Sequence, residues 1–596
     1  MGRGPGPRLE SGGTVVRSRR SRVARAIAIA AAVAVIASAC GGSSSKKGSD
    51  TNNGPSTTAG PDTATPVRGG NLTYGIEADT SGGFCLYKAQ LAIGGIQVAR
   101  AIYDTLTMPG ADGKIHPYLA KSVVGTQNNT VWTIALRPGI KFHDGTPLDA
   151  QTVKDNLDHY RKDNLLFVFV FADVKSVDVV DPLTVKVTTT VPWSAFPWFL
   201  WGSSRLGMMA EAQMKSPDCN TKLIGTGPFE YVSWKFGDKF VAKRNPNYWY
   251  HDPKTGAQLP YLDSITFVPQ EDGAKRTSSL QAGDFQMIHT SDALETVKIR
   301  KDVAAGRLKD TESDQFPETD YLMLNSTPSC SPTPCTPSPF SHLSARQAVA
   351  YAVDRDVYNR LRNGGIKKNA SGPFGPGVVG HLDNTDLPTV NPTKAKEAAA
   401  RYKQETGKDL TFTISHTADP SSTQDAVLVQ QMAQTNAGIK VQLSSVPDQS
   451  TYINVAIGRK YDAILWRNQP GADDDTQYVW WHCGNSPAAG TDPNGAPACD
   501  NPVNFGGFND PIINADLDKA RSSSSAAERK TLYEDINREF AKQLWNLWSQ
   551  WTLWTVAYKP NIHGLLGPSL PDGGPAFTGL PTGHPVDTLW CDAGKC

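Results

Sequence analysis

The chain of 596 residues carries 59 Lys+Arg against 58 Asp+Glu, 39% hydrophobic residues and nine cysteines. The near-neutral balance gives no reason to expect nucleic acid, and the length is too great for one simple core. No repeat of solenoid or propeller period is visible, and beyond the N-terminal segment no apolar run is long enough to span a bilayer.

That segment comes first in chain order. Arg3, Arg8, Arg17, Arg19, Arg20, Arg22 and Arg25 precede an apolar run, Ala26 to Ala39, of 14 residues. A membrane span needs about 20, so the run reads as a secretory signal peptide, residues 1–39. Ala37-Ser38-Ala39-Cys40 resembles a bacterial lipobox, with Ala37 where leucine is usual. Cys40 is therefore expected to be lipidated and to become the mature N-terminus. Plain cleavage after Ala39 is the alternative, and Arg19-Arg20 leaves Sec and twin-arginine export both open. Residues 40–67 are polar and read as a flexible tether with a reach of roughly 30 Å. From Cys40 onward the charge is 52 Lys+Arg against 57 Asp+Glu.

Assigning Cys40 to lipid leaves eight cysteines, an even number for an oxidising compartment. Proximity suggests Cys330–Cys335, Cys483–Cys499 and Cys591–Cys596, leaving Cys85–Cys219; eight cysteines allow 105 pairings. No C-x-x-C pair or cysteine–histidine cluster favours zinc instead. No metal or cofactor is expected.

The elements follow. Asn71 to Ile76 alternates as an opening strand does, and Trp132, Ile134 and Leu136 share a face ahead of the Pro138-Gly139 turn. DAQTVKDNLDHY predicts a helix capped by Asp149, with Val153, Leu157 and Tyr160 on one side. Tyr261 to Pro269 predicts a strand. SARQAVAYAVDRDVYNRLRNGG predicts one helix capped by Ser344, with Val349, Ala352, Val353 and Val357 as its stripe and Gly364 as its stop. A last long helix is expected near Ala526 to Trp545. Asn325 to Phe340, rich in proline and serine, predicts a surface loop stapled by Cys330 and Cys335. Trp545, Trp548, Trp551 and Trp554 fit one helix face, or a helix end followed by a strand; hinge and core packing is the favoured role. The class is mixed α/β with several sub-domains.

Six ordered blocks carry a resemblance. IYDTLTMPGADGKIHPYLAKS (from Ile102), WTIALRPGIKFHDGTPLDAQTV (from Trp132) and GTGPFEYVSWKFGDKFVAKRNPNYW (from Gly225) come first. LDSITFVPQEDGAKRTSSLQAGDFQ, PFSHLSARQAVAYAVDRD and YDAILWRNQPGADDD follow. Together they resemble the family 5 extracellular solute-binding proteins, the oligopeptide, dipeptide and nickel receptors of ABC importers, over about Arg68 to Gly564. The resemblance implies a two-lobed, type II periplasmic-binding-protein-like clamshell with a third inserted sub-domain. Lobe I would comprise 68–115, 223–324 and 551–596, the inserted sub-domain 116–222, and lobe III 325–550. It also implies a receptor without catalysis, lipid-anchored at the outer face of the cytoplasmic membrane. Its partners would be a peptide or similar-sized solute and the permease subunits, and it would act as a monomer.

A peptide's ammonium, enclosed away from water, needs a carboxylate. By resemblance this role falls to Asp473, with Asp474 next, although the family's W-x-x-D spacing is altered after Trp466. Arg467 suits a ligand carboxylate. Trp466, Trp480 and Trp481 are candidate walls, and Glu77 and Tyr103 are candidate cleft residues. The three aspartates lack calcium-loop spacing, and His143-Asp144 is read as a turn. Other cargo, a nickel complex or an oligosaccharide, stays open, as does a sensing role. An anchored hydrolase is disfavoured because no nucleophile elbow, zinc helix or P-loop is present.

Overall fold

The computed structural model describes residues 64–596, apart from 81, 165, 314–316, 328–336, 469–470, 472, 485–498, 577–579 and 581–582. The signal segment, Cys40, most of the tether and the Cys330/Cys335 pair lie outside the described residues.

Three sheets organise the chain. The opening strand Asn71–Ile76 buries Leu72, Tyr74 and Ile76, because it lies in the middle of a seven-stranded sheet and is covered on each side. It pairs in parallel with Ser264–Pro269 and with Met287–Thr290. Lys239–Arg244 and Phe229–Lys235 extend one edge, and Trp554–Tyr558 with Lys309–Ser313 extends the other.

Between the first and later strands of that sheet the chain builds an antiparallel four-stranded sheet. Its spatial order is Ala120–Thr126, Val131–Leu136, Thr184–Thr189, Val174–Asp181. Helix Ala150–Asp163 packs there with Val153, Leu157 and Tyr160 buried, and Asp149 caps it by accepting from the Thr152 N–H. Capping of this kind satisfies one of the orphan donors at a helix start.

A five-stranded sheet forms the other large body, ordered Lys440–Val446, Thr411–Thr417, Ala463–Asn468, Thr319–Leu324, Asn546–Trp551. The first three are parallel, and the last two run against their neighbours. Residues 319–551 thus make one body, joined to the seven-stranded sheet only by the crossings Ser313 to Thr319 and Trp551 to Trp554. These crossings lie side by side. Thr552 N–H donates to the Glu318 carbonyl (2.8 Å), and its hydroxyl donates to Asp320 Oδ1 (2.7 Å).

Several local expectations change. Ser344 is buried inside helix Leu343–Ala352, whose N-cap is His342. The expected single helix breaks at Val353, and Asp354 caps a second one, Arg355–Arg362, by accepting from Asp356 and Val357. The long helix is Ala526–Gln543 and ends at Leu544 in a left-handed conformation. The tryptophan-rich segment forms two strands, with Trp548, Trp551 and Trp554 buried.

Cys85 is bonded to Cys219 and Cys591 to Cys596. Cys483 and Cys499 are buried thiols, not the expected disulfide. The Cys499 thiol donates to the Cys483 carbonyl (3.1 Å), and that neighbour together with burial pushes the Cys483 thiol up.

The two bonds close loops of very different length, with separations of 134 and 5 residues. Chain-entropy reasoning assigns about 5 kcal/mol to the longer loop and about 2 to the shorter. Cys85→Ser/Cys219→Ser is therefore expected to lower the melting temperature more than Cys591→Ser/Cys596→Ser. Equal losses in a thermal melt would contradict the loop-length account.

Candidate functional site

The seven-stranded and five-stranded sheets turn the carboxyl ends of their parallel strands toward one cavity of about 420 Å³. Ligands of open α/β sheets bind in this position, and the volume sits near the lower end of the roughly 300–1,000 Å³ usual for small-molecule sites.

One wall starts from Glu77, the residue after strand Asn71–Ile76, and Ser291, the residue after strand Met287–Thr290. Ser291 donates to Glu77 Oε1 through its N–H (3.1 Å) and its hydroxyl (2.8 Å). Arg276, on helix Gly273–Ala282, lies 3.7 Å from the same oxygen. Gly94, at the start of helix Ile93–Ile102, also lines this wall; a Cβ there would stand 2.2 Å from the Ala78 carbonyl oxygen.

The facing wall starts from Trp466 and Arg467 near the end of strand Ala463–Asn468. Trp466 stacks on Tyr452 with centroids 5.7 Å apart, and its ring stands edge-on to Phe505. Trp480 also packs edge-on to Phe505. Arg467 crosses between the bodies. It donates to Glu77 Oε2 (3.1 Å) and to the Ser291 hydroxyl, and it lies over the Trp554 ring at 5.2 Å. Burial would raise Glu77, but Arg467, Arg276 and His289 hold its carboxyl well below the usual carboxylate range.

Glu318, on the first crossing, lies 4.0 Å from Arg467 and accepts from Trp554 Nε1 (2.9 Å). Burial pushes its carboxyl up to about 7, with Asp320 reinforcing and Arg467 opposing. Farther along, Lys367 pairs with Asp320 (2.7 Å) and Arg362 with Asp425 (2.6 Å). Burial raises Asp425 to about 6 against the pull of Arg362. At the rim, burial and the negative Asp448 and Asp419 raise Glu271.

Of the residues proposed from sequence, Glu77, Trp466, Arg467 and Trp480 lie together on the cavity wall. Four others lie elsewhere. Tyr103 is buried against Gln213 (3.0 Å) and the Phe84 carbonyl. Trp481 packs among Tyr321, Phe540 and Trp548 in the core. Asp473 is held by Arg529 (2.6 Å) and caps the turn Asp474–Gln477. Asp474 is buried and accepts from the Gly380 N–H (3.1 Å), with burial and Asp473 raising it to about 7. Arg529 and a backbone turn engage these two carboxylates, and neither lines the cavity. Sequence reasoning missed Arg276, Glu318, Asp320, Arg362 and Asp425. The only sequence signal for Arg362 was its place in NRLRNGG, just before a helix stop.

Residues 114–490 match the family described as "Bacterial extracellular solute-binding proteins, family 5 Middle". The chain belongs to that family. Its members capture a solute outside the cell for an ABC importer, and that is the role of this chain. Over 451 residues it is 28% identical to the glutathione-binding protein GsiB of Pectobacterium atrosepticum, covering 74% of this chain and 80% of the relative. The structure of PBP AgaA in complex with agropinic acid, from A. tumefacien R10, aligns with a TM-score of 0.73 at 24% identity. That alignment covers 88% of this chain and 99% of AgaA. DppA from Helicobacter pylori in complex with peptide STSA aligns with a TM-score of 0.71 at 20% identity, over 85% and 97%. These two show a shared fold: the type II binding-protein clamshell.

A proton on Glu318 is held more tightly in the folded protein than at the ordinary carboxyl value of 4.5. Its contribution to stability is therefore full below pH 4.5 and is lost as pH rises to about 7, by at most about 3 kcal/mol. Melting temperatures of Glu318→Gln minus wild type should rise between pH 5 and pH 8. Parallel pH profiles for the two proteins would show that Glu318 does not titrate in this window.

Proposed function

We propose that the solute is a short peptide or a comparably compact zwitterion, held between the two bodies and released to the permease. The observation that carries this reading is the make-up of the cavity. Its walls combine indole faces, from Trp466 and Trp480, with carboxylates and guanidinium groups from each body. Such walls suit a ligand bearing opposite charges, because each buried charge requires a partner. The volume of about 420 Å³ favours a few residues over a long peptide. The glutathione-binding relative and the peptide complex of DppA point the same way. Among the described residues lining the cavity there is no histidine or cysteine, which weighs against a bare nickel ion.

The receptor reading extends to anchoring. Cys40 would carry the lipid and residues 41–67 the tether, leaving the body free to close beside the membrane as a monomer without catalysis. Lobe III would begin at 319 and not at 325, because strand Thr319–Leu324 pairs within the five-stranded sheet.

Native mass spectrometry of residues 41–596, purified without denaturation, is expected to show a retained mass that fragments as a short peptide. Arg467→Met should lose that mass, with an affinity at least about tenfold weaker, the cost of one charge-assisted contact. A retained sugar or metal complex would overturn the cargo while leaving the receptor. Separately, full-length protein made with radiolabelled palmitate should incorporate label, and Cys40→Ala should not. Equal labelling of the two would remove the lipoprotein reading.

A further inference from the structure

Only two crossings join the 319–551 body to the rest, so contacts between them that lie away from these crossings break when the bodies hinge apart. One set of such contacts lies at the cavity: Arg467 with Glu77, and the Ser421 hydroxyl donating to Asp292 Oδ2 (3.0 Å). A second set lies away from the cavity, where the 319–551 body meets the unit carrying the four-stranded sheet. None of its principal residues lines the cavity.

Its centre is Arg521, near the end of helix Pro511–Ser522. The guanidinium lies over the rings of Tyr478 (3.5 Å) and Trp193 (4.5 Å). Its Nε donates to Asp475 Oδ1 (3.1 Å) within its own body, and its Nη1 donates to Asp173 Oδ2 (3.2 Å) across the divide. Asp475 is also shared, accepting from Trp193 Nε1 at 2.6 Å. Phe169 adds rings to the contact, stacking on Tyr478 (5.9 Å) and lying against His482 (5.6 Å). Trp193, Asp475 and Arg521 are almost wholly buried.

We infer that Trp193, Phe169 and Asp173 clasp Asp475, Arg521 and Tyr478 to form a second closure contact, which sets how readily the two bodies separate whatever the cargo. The physical argument is directional. Arg521 keeps Tyr478 and Asp475 within its own body, and Trp193 keeps Phe196 and Phe199 within its own. The Arg521–Trp193 face contact crosses the divide, so opening exposes one face of the indole and one of the guanidinium together. Opening also takes from Asp475 its indole donor and from Arg521 its second carboxylate. A contact present only in one state shifts the equilibrium by its full differential free energy. Because the clasp does not touch the solute, it would tune apparent affinity for every cargo by the same factor.

The test uses small-angle X-ray scattering on exhaustively dialysed protein, residues 41–596, as wild type, Trp193→Phe and Phe169→Ala. Trp193→Phe removes the Asp475 donor but leaves the Arg521–Asp475 pair; Phe169→Ala removes only ring contact across the divide. Circular dichroism confirms that each variant is folded, and if Trp193→Phe is not, Phe169→Ala carries the test. The expected result is a larger radius of gyration for the variants and an open fraction several-fold above wild type. Unchanged scattering from folded variants, or a wild type as open as they are, would overturn the clasp.

Discussion

The structure depends on one constraint: two bodies with separate sheets are joined by only two strand crossings, and the charges between them must be paired when they meet. Arg467 is where the constraint is concentrated. It stands on one sheet and reaches Glu77 and Ser291 on the other, beside the crossing that carries Glu318. Both side chains of the Arg467–Glu77 pair are only partly buried, so removing one leaves the other partly hydrated, at a cost well below that of an unpaired charge in the core. The same requirement makes the cavity selective, since a solute entering it must replace the water it displaces with groups of matching charge.

The hinge is held by contacts between its two crossings, more than 230 positions apart in the chain. Thr552 uses its N–H on Glu318 and its hydroxyl on Asp320, so the two crossings move as one hydrogen-bonded pair. Trp554, just beyond, is anchored by its indole N–H to Glu318 and lies beneath Arg467. Hinge, ion pair and cavity wall therefore share residues. The Trp193–Asp475–Arg521 contact uses a separate set of residues, none of which lines the cavity.

Much of the fold was legible because hydrophobic alternation and capping residues act over a few positions. Strand Asn71–Ile76, the Asp149 cap and the long C-terminal helix are local signals, and the ordered family blocks extended them to a clamshell. The misread cap at Ser344 shows the limit of that approach. Serine is a good cap in isolation, but here it lies within the helix with its hydroxyl on Glu405. The site was less legible. Glu77 and Arg467, 390 positions apart, form one pair, and nothing in either neighbourhood announces the other. Asp473 and Asp474 looked available in sequence because their partners, Arg529 and the Gly380 N–H, come from distant segments. The Cys483–Cys499 pairing failed for a related reason: proximity does not fix where a thiol points.

The most direct test of the central claim is a crystal structure of residues 41–596 purified with its natural solute retained. The account predicts solute density between Glu77 and Trp466, with the Arg467–Glu77 pair intact and the two sheets facing across it. Solute bound elsewhere, or bound there with the two bodies apart and Arg467 turned to solvent, would contradict it.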